Sequence, residues 1–352
     1  MSKVLENDIQ SLIKEKKYFE PFENCSVLVT GSTGLIGLIL VKSLVSYSMT
    51  NNKNIKVYAA CRSKSKFDRI FGNYKSENLI PVYSDILSLN ISDLQLDYII
   101  HGASITDSKT FVKKPVETIE IAIDGTRNLL KQCINNKIKG FVYLSSLEVY
   151  GTFNEFNEIK TVVENDAGFI DTMSVRSSYS ESKRMVENIC ASYASEYKIP
   201  IKVVRLCQTF GAGVEYNDSR VFAQFARSVI EGKDIILKTK GETVRNYCYT
   251  TDAVSGILMV LSKGNVGEAY NVANMDTTIS IADMAELVCS LYSESGSKVI
   301  FDIAEDVEKL GYNPMVKLQL DSTKTVALGW HSKIDLKDMF KRLVSGMKEE
   351  NK

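Results

Sequence analysis

The chain has 352 residues, 44% of them hydrophobic and 24% charged, a globular composition with room for one large domain and a smaller partner. Lys plus Arg and Asp plus Glu both total 43, so no overall field selects nucleic acid or an anionic membrane surface. Seven scattered cysteines without a Cys-x-x-Cys pair argue against a disulfide framework or a metal site, and no apolar run approaches the roughly 18 residues of a membrane span.

The first 23 residues are charged and amphipathic, with no signal-peptide core, so the expected location is the reduced cytoplasm. Residues 4–16 read as a leading helix that ends before Pro21. The apolar run 26–30 reads as a buried strand; a glycine-punctuated turn follows, then a helix over 35–47. Strands at 57–60, 80–83 and 98–100 precede a long helix at 115–135, which opens on Pro115, where a missing N–H does no harm. A strand at 141–144, a helix at 179–197 and a strand at 203–206 complete the alternation. Such alternation predicts an α/β fold, a parallel sheet with helices on both faces.

After Gly213 the pattern changes. Helices at 221–232, 251–261, 281–292 and 336–348 alternate with short strands such as 235–237, while residues 269–272 are apolar enough to return to the main sheet. The expected organisation is a helical extension over 1–24, a dinucleotide-binding domain over 25–212 and a mainly substrate-binding lobe over 213–352. The substrate would lie in the cleft between them.

Gly31, Gly34 and Gly37 follow a predicted strand and open a predicted helix, the context in which a glycine-rich turn cradles a pyrophosphate. Thr33, Leu35 and Ile36 complete this loop. The second strand runs into Cys61, Arg62 and Ser63 with no acid to grip a ribose 2′-hydroxyl. Arg62 can instead pair with a 2′-phosphate, which favours NADP; if it stacks on adenine, the cofactor is NAD. Asp85 and Ile86 are placed to meet the adenine, and His101 to Ala103 to lie along the cofactor chain.

Tyr179 and Lys183 are one turn apart at the start of a helix and share its face. A lysine ammonium and a positive nicotinamide ring would favour the phenolate, which could take a proton from a sugar hydroxyl. Ser146 would hydrogen-bond the same oxygen. Glu148 lies two residues on, and strand alternation would turn both into the cleft with Leu147 facing away.

Together these marks resemble the extended short-chain dehydrogenase/reductase family, the nucleotide-sugar epimerases, dehydratases and decarboxylases. Residues 145–151, Gly125 with Thr126, 205–211, 245–252 and 328–330 carry the resemblance onward. It implies a Rossmann-type doubly wound sheet with a smaller C-terminal substrate lobe and a retained NADP or NAD. It further implies a nucleotide-diphosphate sugar substrate, a role in polysaccharide biosynthesis, and a homodimer built on the two long helices. By family position Ser146, Glu148, Tyr179 and Lys183 are catalytic, and Gln208, Arg220, Val221 and Arg245 join Ser146 in meeting the substrate. The expected chemistry oxidises the sugar at C4 and then exploits the ketone for elimination, decarboxylation or epimerisation.

Leu147 stands where dehydratases often carry an Asp that protonates a departing hydroxyl, and Arg176 to Arg184 resembles the decarboxylase branch. Gln208 replaces a substrate-contacting Asn, and Ala122 replaces another Asn, so the sugar pocket is altered. Two other readings remain: a net NADPH-dependent keto-sugar reductase, and a regulator that kept the fold to sense its cofactor.

Overall fold

A computed structural model describes residues 2–74, 76–153, 158–304 and 315–351. Its strands are β1 (Cys25–Thr30), β2 (Ile55–Cys61), β3 (Leu79–Tyr83), β4 (Tyr98–His101), β5 (Gly140–Ser146), β6 (Lys160–Val162) and β7 (Ile201–Leu206). Then come β8 (Gln208–Phe210), β9 (Ile235–Leu237), β10 (Val244–Tyr249), β11 (Ala269–Val272), β12 (Asn274–Ser280), β13 (Val299–Phe301) and β14 (Leu318–Leu320). The helices are α1 (Lys3–Ile13), α2 (Leu35–Thr50), α3 (Lys64–Phe71), α4 (Ser108–Lys113), α5 (Pro115–Cys133) and α6 (Ser178–Tyr197). They continue with α7 (Val221–Glu231), α8 (Thr250–Lys263), α9 (Ile281–Leu291), α10 (Thr323–Val326) and α11 (Leu336–Glu350).

Seven parallel strands form the central sheet in the order β11-β7-β5-β4-β1-β2-β3. Strand order reverses between β1 and β4, which opens a crevice at their C-terminal ends. Both faces are covered, and β1 shows why its sequence is apolar throughout. Val27 and Val29 face the core that includes α2 and α8, while Leu28 faces the core of α5 and α6. A strand buried on both sides has no polar alternation to keep.

A third core joins α7, α9 and α11 around Phe222, Phe225, Met284 and Phe340. Beside it, β10 pairs with β8 in parallel and with β12 antiparallel. The leading helix is shorter than the pattern over 4–16 predicts. It ends at Ile13, and 3-10 turns at Lys16–Tyr18 and Glu20–Phe22 bury Tyr18, Phe19 and Phe22. Three aromatic rings within five residues are drawn into the core, and tight turns place them there better than a continuing helix. The buried carboxylate of Asp8 ties α1 to Arg342 on α11 and to Tyr249.

Candidate active site

The turn after β1 is closed by contacts that only glycine allows. A Cβ on Gly31, whose φ is +68°, would lie 2.8 Å from the Gly102 carbonyl oxygen, and one on Gly37 would lie 2.1 Å from the Gly31 carbonyl oxygen. Gly34 is different: it is exposed, and a Cβ there would meet only the Gly31 oxygen at 3.4 Å. It forms the N-cap of α2, and no side chain caps that helix. Uncapped first-turn N–H groups beside an open glycine hollow fit the pyrophosphate of a dinucleotide. Thr33, Leu35 and Ile36 are half-buried along this rim.

Around the crevice, Arg62 is exposed and lies 3.8 Å from Asp85. The Ile86 side chain turns into the core instead of the crevice, where a Cβ on Gly125 would strike it at 2.9 Å. The amide of Ala103 is held by Thr30 Oγ1 at 3.2 Å. His101 is wholly buried between Thr30 Oγ1 (2.7 Å) and Thr126 Oγ1 (3.0 Å). Burial and then the Lys183 charge push its imidazole down to about 3, so it is neutral.

β5 and α6 bring Ser146, Tyr179 and Lys183 together. The Ser146 hydroxyl lies close enough to the Tyr179 phenol to favour its ionised form. The Lys183 ammonium sits 5.6 Å from the Tyr179 ring centre and donates to the Leu144 carbonyl oxygen at 2.8 Å. Burial lowers Lys183 to about 8, opposed by Glu187. Burial and then Glu148 push Tyr179 well above the ordinary range, against Ser146, Arg176 and Arg220. The site keeps its proton acceptor dry at the expense of its acidity.

Glu148 arrives by a route the strand pattern does not show. β5 ends at Ser146, and Leu147–Tyr150 is a 3-10 turn. The Ser146 hydroxyl accepts the Glu148 N–H at 3.2 Å, and Leu147 is buried in the core. This corrects the expected extended segment: the turn, not alternation, separates Leu147 from Glu148. The carboxylate is bound by Arg176 Nη2 at 3.0 Å and Ser180 Oγ at 2.9 Å. Burial raises Glu148, but Arg176 and Arg245 more than reverse this, holding it below the ordinary carboxylate range.

Arg245 is buried on β10, and burial lowers its guanidinium. Its Nε, like that of Arg176, is buried without a hydrogen-bond acceptor among the described residues. Arg220 caps α7 ahead of Val221 and is paired with Asp218 at 2.6 Å. Gln208 is half-buried at the start of β8, in register with Tyr247.

Residues 27–273 match the NAD dependent epimerase/dehydratase family. The chain belongs to this family. Among curated relatives it is 29% identical over 301 residues to the UDP-N-acetyl-alpha-D-glucosaminuronate decarboxylase of Bacillus cytotoxicus, covering 84% of this chain and 89% of that one. It is 28% identical over 325 residues to UDP-glucuronic acid decarboxylase 6 of Arabidopsis thaliana, covering 88% and 89%. The fold matches the UDP-glucuronic acid 4-epimerase of Bacillus cereus, solved with UDP-glucuronic acid and NAD, at TM-score 0.77 and 22% identity, over 92% of this chain and 99% of that one. The expected Rossmann-type fold and membership of an NAD-dependent enzyme family are thus confirmed.

Within this member of the epimerase/dehydratase family, one neighbour of the site escaped the sequence reading. Phe111 on α4 stacks on Tyr179 with ring centres 4.3 Å apart and planes at 10°. Its other neighbour is Arg176, whose guanidinium carbon is 4.8 Å from the ring centre. The local sequence carries no signal for this, because α4 is six residues long and Phe111 is its one buried residue.

Proposed function

We propose that the chain decarboxylates a nucleotide-diphosphate uronic acid through a 4-keto intermediate. The glycine turn of Gly31, Gly34 and Gly37 with Arg62 would hold NAD or NADP, which would supply a hydride acceptor restored by the end of the cycle. Tyr179 first loses its own proton to solvent, an ionisation that Lys183 and the positive nicotinamide of a bound cofactor would favour; as phenolate it takes the proton from the C4 hydroxyl while Ser146 holds that oxygen. A ketone at C4 makes the C6 carboxylate a β-keto acid, so carbon dioxide leaves with its bonding electrons passing to the C4 oxygen. A proton from solvent then enters at C5.

The observation that carries this reading is the buried Nε–H of Arg176, which has no acceptor among the described residues and lies beside Glu148. A sugar carboxylate gives this donor a charge-assisted acceptor, whereas a neutral hydroxymethyl group offers a weaker one. Arg220 and Arg245 suit the diphosphate, and Arg176 the sugar carboxylate. Dehydration is less well served: Leu147 cannot protonate a leaving hydroxyl, and Glu148 is held ionised. The two decarboxylase relatives point the same way. Supplying UDP-glucuronic acid beside UDP-glucose, with carbon dioxide and sugar products both assayed, tests the proposal.

Two finer points belong to it. Arg62, with no acid at the end of β2, favours NADP over NAD. The chain pairs as a homodimer through α5 and α6, which lie side by side and expose Val116, Ile119 and Met185. A monomer by light scattering at micromolar concentration would contradict that pairing.

A further inference from the structure

We infer that Phe111 is a positioning residue for this reaction, its ring acting as a spacer that holds Tyr179 and Arg176 at a fixed separation. The inference rests on the proposed decarboxylation in one respect, that Tyr179 serves C4 while Arg176 serves the group beyond C5.

Three observations support the spacer. The Phe111 ring is 2% exposed and lies against Tyr179 on one side and the Arg176 guanidinium on the other. Its backbone is fixed independently, because Ser178 Oγ donates to the Phe111 carbonyl oxygen at 3.2 Å. Ser178 immediately precedes Tyr179, so the same short segment anchors both the ring and its stacking partner. Finally, α4 is held at its start by Asp107, which accepts the Thr110 N–H at 3.0 Å. The other Asp107 oxygen accepts Ser219 Oγ at 3.3 Å, beside the Arg220 cap of α7. One short helix therefore links the catalytic phenol, the Glu148 arm and the loop that carries Arg220.

An aromatic face is what this position requires. Stacking fixes the plane of the Tyr179 ring, and the same π-system attracts the guanidinium on its far side. An aliphatic side chain of equal bulk fills space but holds neither orientation. The ring also excludes water from the back of Tyr179, and burial is the largest influence raising that phenol. The charged groups acting on it are Glu148 after β5, Arg176 before α6, Lys183 on α6 and Arg220 at α7. None of these groups is removed by a change at Phe111, so a shift in phenol ionisation reports the lost spacing and hydration barrier that the ring supplies.

The test compares Phe111→Leu, Phe111→Met and Phe111→Tyr in the cofactor-loaded enzyme. Tetranitromethane attacks phenolates, so the nitration rate of Tyr179, read by peptide mass spectrometry near neutral pH, follows its ionisation and access. Leu and Met should speed nitration of Tyr179 by about tenfold or more, as expected for a phenol partly rehydrated. The buried Tyr150 and Tyr247 should stay as slow as in the wild type, which separates this effect from unfolding. With UDP-glucuronic acid, kcat should fall about tenfold or more while KM changes little, since the nucleotide is held elsewhere. Phe111→Tyr, which keeps both ring faces, should restore wild-type nitration at Tyr179 and kcat. Wild-type nitration and turnover in Leu and Met would overturn the inference, and Met keeps the test alive if Leu fails to fold. If the wild type ignores UDP-glucuronic acid, the proposed reaction fails while the nitration rates still judge Phe111.

Discussion

Arg176 and Glu148 meet at 3.0 Å with only 13% of each side chain exposed, and the contact joins the turn after β5 to the segment just before α6. A pair so enclosed is costly to break from one side, because the survivor is left buried and charged. The pair also sets the character of the site. It keeps Glu148 ionised and leaves the Arg176 Nε–H for a substrate acceptor.

Glu148→Gln keeps the shape and removes the charge that anchors Arg176. Oxidation at C4 should persist, so reduced cofactor should accumulate after one addition of UDP-glucuronic acid. Overall turnover should fall by about two orders of magnitude, the scale of a lost acid–base or orienting group. Rapid-scan absorbance of the bound cofactor checks this. A variant that turns over normally would remove Glu148 from the second step.

Tyr179→Phe keeps the ring that stacks on Phe111 and deletes the phenol. Binding of UDP should be unchanged by calorimetry, while C4 oxidation slows by about two or more orders of magnitude. Near-normal reduction of the cofactor would refute the assigned role.

Arg62→Ala removes an exposed cation at the end of β2, 3.8 Å from the half-buried Asp85. NADP affinity should drop by on the order of 1.5–3 kcal/mol, as for a hydrogen bond to a charged group, with NAD nearly unaffected. Fluorescence titration with both cofactors measures the difference. Equal weakening would return the preference to NAD.

His101 adds a pH dependence to stability. Its folded imidazole is depressed to about 3 by burial and then Lys183, so the stability linked to its neutral form is present above the unfolded value near 6.5. That stability is lost as pH falls from there towards the folded value, by on the order of 4–5 kcal/mol over the whole window. Asp252 acts oppositely. Burial raises it to about 6, so its contribution is present in acid and lost as pH rises through that value. Denaturant unfolding of wild type and His101→Gln from neutral pH to about pH 4 separates them. The variant should lose less stability on acidification; an identical loss would contradict the assignment.

Much of this was readable before the structure. The glycine turn could be read because Gly31 and Gly37 answer local backbone constraints, and the Tyr179–Lys183 pair because a helix fixes its own i, i+4 face. The turn at Leu147–Tyr150 was not, since an apolar residue between Ser146 and Glu148 suits a strand and a 3-10 turn equally. Phe111 and Arg176 meet Tyr179 and Glu148 across 68 and 28 positions of sequence, and no local pattern records such pairings. The burial of Tyr179 was not legible either. The helical spacing showed Lys183 nearby, while the burial that dominates the phenol is a property of the whole fold.

The most direct test of the account is the nuclear magnetic resonance spectrum of the product formed from UDP-glucuronic acid in deuterium oxide, with carbon dioxide measured in the same vessel. Decarboxylation predicts one equivalent of carbon dioxide and a UDP-pentose carrying a single deuterium at C5. A UDP-hexuronic acid inverted at C4, with no deuterium at C5 and no carbon dioxide, would contradict it.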